Sequence, residues 1–595
     1  MKKFFKTTFA CTLGVLIAAF VLIMLSVISF TGFVASSVGK TETAYITKEK
    51  SILKFDLNGT LMDRYEEQSI NFDPMSMVSG GGNSDVVGLD QIRRALEVAA
   101  EDANIEGIYI TANGLSAMPA SVEEIRRLLV NFKEKSGKWI YAYADNYIQS
   151  DYIIASVADK VIINPIGGID LHGLGGSQMF YPGAMEKLGV EYLIFRVGTY
   201  KSAVEPFMNK KMSAANREQT LAYLNTIWDV YTEGVTASRG FSADFFNAIT
   251  DSIVVLRPTK DLLAYNLADT MMYGPEVEDW LKTQVGIEED KEITFASIAE
   301  LASVAKEEKK SENKIAVVYA CGDIVDEGSG ISSEEFVPLF TKIRKDKDIK
   351  AVVMRVNSPG GSAYASEQMW AEIEAIKASG KKVIVSMGEM AASGGYYISS
   401  GADYIFAENT TLTGSIGVFG MMPCAKELVN DKLGLSFDAA RTHKFSSFSS
   451  GEALYVGMQE EEAMAMQRSV ENTYDLFTRR CAEGRNMSQD DIKKIAEGRV
   501  WIGKKAVELG LVDAVGSLED AIAYAATVSE LPDYTTEEYP KVKSSFEKMM
   551  EKFQNMTSMR ISAWLYGIDL SQLQEMQNLD QTDLIQARME TVIIK

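Results

Sequence analysis

A lysine and a serine stand in two segments whose residue types suit nucleophilic catalysis. Lys201 lies in the largely apolar sequence GTYKSAVEPF, and Ser415 lies between glycines in TLTGSIGVFG. A serine hydroxyl is a weak nucleophile until a base takes its proton, and a lysine can be that base if burial keeps its amine neutral. The lysine pKa, near 10.4 in water, must then fall to near 7, which costs roughly 4 kcal/mol. Ser415 is thus a candidate nucleophile and Lys201 a candidate general base, with a turn serine and a surface lysine as the alternatives.

A glycine pair offers a third element of such a site. The sequence NSPGGS, residues 357–362, directly follows an apolar strand pattern. Adjacent glycines there can aim backbone N–H groups at one point, as an oxyanion hole requires. A tight strand-to-helix turn without catalytic use is the structural alternative. The backbone at Gly360 and Gly361 is therefore a candidate oxyanion hole.

These segments belong to two copies of one pattern, offset by 243 to 244 residues. The segments NIEGIYITANG, SGKWIYAY and ADKVIINP, starting at Asn104, recur as DIKAVVMRVN, SGKKVIVS and ADYIFAEN, starting at Asp348. Copy one has Leu171 where copy two has Ser415, and copy one also lacks the glycine pair. The predicted site therefore takes its lysine from copy one and its serine from copy two, so that separating the copies near residue 308 should destroy it.

Strand and helix patterns alternate within both copies. In copy one the apolar run IEGIYIT is followed by the helical pattern SVEEIRRLLVNFKEKSG, which ends at a glycine, and by KWIYAYAD. This order predicts an α/β fold, with a parallel sheet wrapped by crossover helices in each copy. We predict a first repeat, a charged linker, a second repeat and a C-terminal helical extension, at 45–301, 302–313, 314–530 and 531–595.

The N-terminus has the pattern of a membrane anchor. Three lysines precede a stretch without charged residues at 7–39, which is long enough to cross a hydrocarbon layer of roughly 30 Å as a helix. Residues 1–40 are therefore predicted to be a cytoplasmic tip and transmembrane helix, with the body outside the cytoplasm. Cleavage as a signal peptide at the small residues 35–37 is the alternative.

Charge and histidine content exclude several classes of function. The net charge of −22 disfavours nucleic acid as a partner. His172 and His443 are the only histidines, and neither has an apparent catalytic partner, which disfavours a Ser-His-Asp triad. Two isolated histidines also fall short of a metal site. We predict no metal and no cofactor.

Four motifs together resemble the signal peptide peptidase family, in its long form with two fused repeats. They are NSPGG, MAASGGYYIS, LTGSIGVFG and GTYKSAVEPF, and the resemblance covers about residues 45–530. It implies tandem Clp-protease/crotonase-like repeats with an N-terminal transmembrane helix. It also implies a Ser/Lys dyad with Ser415 as nucleophile and Lys201 as base, and oxyanion-hole backbone at Gly360 and Gly361.

The resemblance further implies partners and a location. The family's substrates are cleaved signal peptides, so that apolar peptides are the expected substrates here. A homotetramer enclosing an apolar chamber is expected, anchored by its N-terminal helices in the lipid of the cell inner membrane. The single-pass topology would place the catalytic body on the periplasmic side.

Two residues compete with the predicted dyad. Ser393, in AASGG, lies where the related Clp proteases carry their nucleophile, although a histidine partner is missing. Lys444 is the copy-two equivalent of Lys201, but its surroundings, THKFSSFSSGE, are polar and would keep it charged.

Two other functions remain open. An acyl-CoA hydratase or isomerase on the same fold would need a pair of acidic residues near the glycine turn, where only Glu367 is available. A non-catalytic membrane scaffold is the second alternative.

Overall fold

A computed structural model describes residues 45–66, 86–304, 311–448, 450–542 and 585–589, together with Met24. The predicted anchor, Met24 apart, and most of the predicted C-terminal extension lie outside the described residues. Within the described part of the chain, the structure contains no helix with the length and apolar character needed to cross a bilayer.

The described residues form strands and helices in alternation. The strands are β1 (Ser51–Met62), β2 (Val86–Gly88), β3 (Ile105–Ser116), β4 (Trp139–Ala144), β5 (Lys160–Ile163), β6 (Glu191–Val197), β7 (Thr270–Met271), β8 (Phe295–Ser297), β9 (Lys314–Cys321), β10 (Ile324–Val325), β11 (Ile331–Ser332), β12 (Ile349–Ser358), β13 (Gly360–Ser362), β14 (Lys382–Ala392), β15 (Tyr404–Ala407), β16 (Leu412–Gly414), β17 (Val418–Cys424), β18 (Val500–Ile502), β19 (Ala514–Val515), β20 (Thr535–Tyr539) and β21 (Ile585–Arg588). The α-helices are α1 (Leu89–Glu101), α2 (Pro119–Ser136), α3 (Gln149–Ala155), α4 (Pro182–Leu188), α5 (Glu205–Met208), α6 (Ala214–Arg239), α7 (Ala243–Thr250), α8 (Thr259–Ala264), α9 (Gly274–Val285), α10 (Ile298–Ala302), α11 (Ser333–Lys345), α12 (Ala363–Ala378), α13 (Gly394–Ser400), α14 (Ala453–Val456), α15 (Glu460–Arg485), α16 (Gln489–Ile495), α17 (Gly503–Glu508) and α18 (Leu518–Val528).

Each repeat contains a mainly parallel sheet, as the alternating pattern predicts. The copy-one sheet has the order β2-β1-β3-β4-β5-β7, with β8 also on β1, and all these pairs are parallel. The copy-two sheet has the order β18-β16-β14-β12-β9-β20, with β15 and β19 continuing from β14. The unit β3-α2-β4 in copy one corresponds to β12-α12-β14 in copy two, so that the repeat in sequence is a repeat in structure.

The central strands are buried on both faces, which explains their nearly continuous apolar runs. Successive side chains on β12 point to opposite faces of the sheet. Met354 belongs to a hydrophobic cluster with Ile373 of α12, whereas its neighbour Val353 belongs to another cluster with Ala521 of α18. Helices therefore cover both sides of the copy-two sheet.

A third sheet joins the two repeats. Strand β6 of copy one pairs antiparallel with β17 of copy two, from Glu191 opposite Cys424 to Val197 opposite Val418. The copy-two residues equivalent to β6 form no strand, so the repeat pattern alone does not predict this pairing. Lys201 follows the end of β6 by four residues and Ser415 precedes the start of β17 by three. The pairing thus brings the two predicted catalytic segments together.

The sequence predicts a helical extension at 531–595, but the residues described there form two strands, and the prediction is wrong for them. Strand β20 runs parallel to β9 at the edge of the copy-two sheet, and β21 pairs antiparallel with both β13 and β17. Sheet edges offer unpaired N–H and C=O groups, and both strands pair with such groups. The Met- and Lys-rich part of the extension, 543–584, lies outside the described residues.

Candidate active site

Lys201 sits in a narrow slot between the two repeats. Its backbone follows a segment bound to copy two, where Tyr200 N–H donates to the Glu497 carbonyl at 2.9 Å. A Cβ on Gly498 would lie 2.7 Å from Lys201 Cβ, and one on Gly417 would lie 3.3 Å from Lys201 Cδ. Only glycines leave room for the lysine side chain to pass. The side chain is 1% exposed.

The Lys201 amine ends among three oxygens of copy two. Lys201 Nζ lies 3.1 Å from Ser415 Oγ, 3.1 Å from the Ser415 carbonyl oxygen and 2.7 Å from Ser393 Oγ. Burial lowers the pKa of Lys201 well below its ordinary value of 10.5, because an apolar environment disfavours the charged form. The nearby carboxylate of Glu205 accepts hydrogen bonds from Ser213 and Asn216 instead. The surroundings of Lys201 therefore favour a neutral amine.

A neutral amine has two N–H donors and one lone pair, which matches these three oxygens. The Ser393 hydroxyl lies 3.5 Å from the Gly417 carbonyl, to which it donates, so that Ser393 Oγ accepts from Lys201. The Ser415 carbonyl can only accept. The lone pair of a neutral amine can then face Ser415 Oγ, which lies 3.1 Å away. Both hydroxyls are within reach of the lysine, and Ser393 Oγ is the nearer at 2.7 Å.

Both serines lie on backbone that side chains rarely adopt. Ser415 has φ +48° and Ser393 has φ +55°, conformations that cost of order 1–3 kcal/mol and occur where the surrounding structure enforces them. Ser415 N–H donates to the Arg499 carbonyl at 2.7 Å, and Ser393 N–H donates to the Gly414 carbonyl at 2.8 Å. The two turns are thus held to each other, with their hydroxyls on either side of the lysine.

The glycine turn has the backbone freedom that its sequence predicts. Gly360 has φ +100° and Gly361 has φ +154°, and a Cβ on Gly361 would lie 1.9 Å from the Ile324 carbonyl oxygen. Gly360 N–H donates to Ser358 Oγ at 3.1 Å, within the turn itself. A side chain at either glycine would collide with backbone.

Strand β21 fills the cleft between this turn and β17. Gly361 pairs with Ala587 on one side of β21, and Phe419 pairs with Gln586 on the other. Ala587 is 0% exposed and Met589 2%, whereas Gln586 and Arg588 are half-buried. Met589 belongs to a hydrophobic cluster that includes residues of the strands leading to both serines. The cleft therefore accepts an extended peptide and buries alternate apolar side chains.

Lys444, the two histidines and Glu367 are engaged elsewhere. Lys444 is half exposed and forms an ion pair with Glu461 at 2.5 Å. The exposed His172 lies 2.9 Å from Asp170 through its Nδ1 atom. Glu367, the acid that a hydratase would need, accepts from Arg480 and from the Tyr397 hydroxyl at 2.6 Å each.

His443 is also exposed, and its Nδ1 atom lies 3.0 Å from the hydroxyl of the neighbouring Thr442.

The equivalent region of copy one is built differently. Leu171, at the serine position, is buried in the copy-one core. The buried carboxylate of Asp151 accepts from the N–H groups of Gly114 and Leu115, in the turn equivalent to 358–359. Desolvation raises the pKa of Asp151 to about 6. The copy-two equivalent of Asp151 is Gly395, where a Cβ would lie 2.7 Å from the Ser358 carbonyl oxygen.

Sequence reasoning missed three of these features. It considered Ser393 only as a rival nucleophile, and it did not single out Asp151 or the strand at 585–588. The repeat itself carried a signal for Asp151, because an aspartate in one copy stands opposite a glycine in the other.

Comparisons with known proteins agree with a two-repeat serine peptidase. The model for peptidase family S49 matches residues 132–288 and again 375–531. The chain belongs to peptidase family S49.

Several relatives extend over most of the chain. It is 35% identical to Protease 4 of Haemophilus influenzae over 531 residues, covering 86% of this chain and 83% of that protein. It is 32% identical to the chloroplastic serine protease SPPA of Arabidopsis thaliana over 521 residues, covering 85% of this chain and 75% of that protein. A solved structure of a ClpP1 mutant from Listeria monocytogenes covers 35% of this chain and 94% of its own, at 16% identity and a TM-score of 0.24.

Proposed function

We propose that this serine peptidase cleaves apolar peptides with a Ser/Lys dyad, in which Ser415 is the nucleophile and Lys201 the general base. The observation that carries the proposal is the buried Lys201 amine 3.1 Å from Ser415 Oγ, within the reach expected of a nucleophile and its base. Ser393 orients the amine.

The reaction follows from these positions. Lys201 Nζ takes the Ser415 proton as Oγ bonds to the peptide carbonyl carbon. The backbone N–H of Gly361 stabilises the oxyanion, whereas the N–H of Gly360 is bound to Ser358 Oγ. The C–N bond then breaks, and the proton on Lys201 passes to the leaving amine. A water molecule, deprotonated by Lys201, attacks the ester carbon. The C–Oγ bond breaks, the proton on Lys201 returns to Ser415 Oγ, and the second product leaves.

The substrate class follows from the occupied cleft. Strand β21 is bound by antiparallel pairing on both sides, a mode that recognises the backbone of any extended peptide. Specificity then comes from the pockets that bury Ala587 and Met589. Small and apolar side chains at alternate positions fit these pockets, which supports remnants of signal peptides as substrates, since their central regions are apolar.

A fluorophosphonate probe, which phosphonylates activated serines, tests the nucleophile. We expect Ser415→Ala to abolish labelling and cleavage of an apolar reporter peptide. Ser393→Ala should still be labelled, at a rate lowered about 10-fold because the amine loses one orienting partner. Equal labelling of wild type and Ser415→Ala would contradict the assignment, and loss of labelling in Ser393→Ala alone would exchange the roles of the two serines.

We further propose that residues 1–40 anchor the chain once in the cell inner membrane, with the catalytic body on the periplasmic side as a homotetramer. The uncharged stretch at 7–39 and the lysines before it support the anchor. The full chain is expected to remain in the membrane on carbonate extraction. In detergent, light scattering is expected to give the molar mass of a tetramer. Release by carbonate would contradict the anchor, and a monomeric mass would contradict the tetramer.

A further inference from the structure

Asp63, at the end of β1 in copy one, contacts the glycine turn of copy two. Its Oδ1 atom accepts from Arg355 Nε at 2.7 Å, and its Oδ2 atom accepts from Asn357 Nδ2. Arg355 and Asn357 are two residues apart on β12 and therefore point to the same side of the strand. One carboxylate thus holds both side chains, and Asn357 is the first residue of NSPGG.

Asn357 connects the turn to the rest of the site. Its Oδ1 atom accepts from Met390 N–H at 3.3 Å, three residues before Ser393, and its carbonyl accepts from Gly322 N–H at 2.9 Å. A Cβ on Gly388 would lie 3.1 Å from Asn357 Cβ and 3.2 Å from Asp63 Oδ1. The packing around Asn357 is therefore tight. The orientation of the Asn357 side chain depends on its hydrogen-bond partners, of which Asp63 is one.

The other end of the turn is held by the equivalent aspartate of copy two. Asp63 closes the segment SILKFDLNGTLMD, and Asp326 closes its counterpart KIAVVYACGDIVD. Asp326 Oδ1 accepts from the Ser362 hydroxyl at 2.7 Å. The turn at 357–362 is thus held at both ends by aspartates from the same position of the two repeats.

Stability alone does not account for the Asp63 contact. Arg355 is also bound to Glu124 at 3.3 Å, and Glu124 to Arg93 at 2.7 Å, in a buried chain of alternating charges. Buried ion pairs lose most of their attraction to desolvation, and apolar replacements of such pairs are often neutral or stabilising. The Asp63 carboxylate instead holds the Asn357 side chain in one orientation.

We propose that Asp63 is a positioning residue, through which copy one holds the 357–361 turn of copy two where the Gly361 N–H meets the oxyanion. Copy one then supplies more to the reaction than its lysine. The inference rests on the proposed function, because it assigns Asp63 a role in the same reaction.

The kinetics of Asp63→Ala in the full chain test this role. We expect kcat for the reporter peptide to fall about 10- to 100-fold, as for other small misplacements of catalytic groups, with KM within about 3-fold of wild type. Fluorophosphonate labelling should slow in parallel, because it also develops charge at the turn. Glu123→Gln is the matched control: Glu123 joins the repeats through Thr410 at 2.7 Å, without contact to the turn, and should keep wild-type kcat.

A double variant separates positioning from stability. Asp63→Ala leaves Arg355 with one carboxylate fewer and should lower Tm, whereas Asp63→Ala combined with Arg355→Met removes the buried charge and should restore Tm. If kcat stays low in the double variant, Asp63 positions the turn. If kcat recovers with Tm, or if Asp63→Ala has wild-type kcat, the inference is overturned. Activity retained in Ser415→Ala would instead overturn the proposed function.

Discussion

Replacing Lys201 with methionine is expected to lower kcat roughly 10²–10⁴-fold, the range that general-base catalysis contributes. The methionine side chain has a similar length and fits the same slot, so the loss reports the missing amine. Peptide hydrolysis and fluorophosphonate labelling measure it. Lys444→Met is the matched control, because Lys444 is exposed and its ion pair with Glu461 contributes little to stability.

The same variant should be more stable than wild type at neutral pH. The pKa of Lys201 is lowered in the folded protein, so between the folded pKa and about 10.5 the unfolded chain binds more protons, and stability rises with pH. The gain from Lys201→Met should therefore be largest at low pH and vanish near pH 10.5. Thermal unfolding across this range measures it. A destabilised Lys201→Met protein, or activity exchanged between Lys201 and Lys444, would contradict the assignment.

Deleting residues 585–595 is expected to raise kcat/KM for a short apolar peptide by about 10-fold. Strand β21 pairs with both edges of the cleft, and Arg588 adds an ion pair to Asp323 at 2.9 Å. A peptide must displace this strand, so its apparent affinity falls with the fraction of open cleft, taken here as about one tenth. Steady-state kinetics of the truncated chain measure the change.

A chain that ends at residue 589 is the matched control for this deletion. It keeps β21 and its contacts, and it should have the kcat/KM of the full chain. The kcat/KM of the variant Arg588→Ala should lie between those of the two chains, because this change weakens the binding of β21 without removing the strand. An unchanged or lower kcat/KM in the chain ending at residue 584 would show that β21 does not compete with substrate.

The repeat made much of the fold predictable. Offsets of 243 to 244 residues placed β3, β4 and β5 opposite β12, β14 and β15, because both copies bury the same strands beneath similar helices. The asymmetry between Leu171 and Ser415 indicated which copy carries the hydroxyl. The apolar surroundings of Lys201 indicated burial, and the structure shows that burial.

What the sequence left open depends on contacts between distant segments. Strand β6 has no strand equivalent in copy two, and its partner β17 lies more than 220 residues away, so no local pattern encodes their pairing. The same holds for β21, whose partners β13 and β17 are also distant in sequence. Ser393 Oγ lies beside the Lys201 amine partly because the turns at Ser393 and Ser415 are bonded to each other, which sequence spacing does not reveal.

The pairing of β6 with β17 has a consequence for the order of events during synthesis. The ribosome makes Lys201 and its strand first, and the glycine turn, Ser415 and Gly498 later. A nascent chain therefore passes through a stage in which it contains the proposed base but not the proposed nucleophile. The proposed site can assemble only after Gly498 has been made and the two repeats have folded against each other.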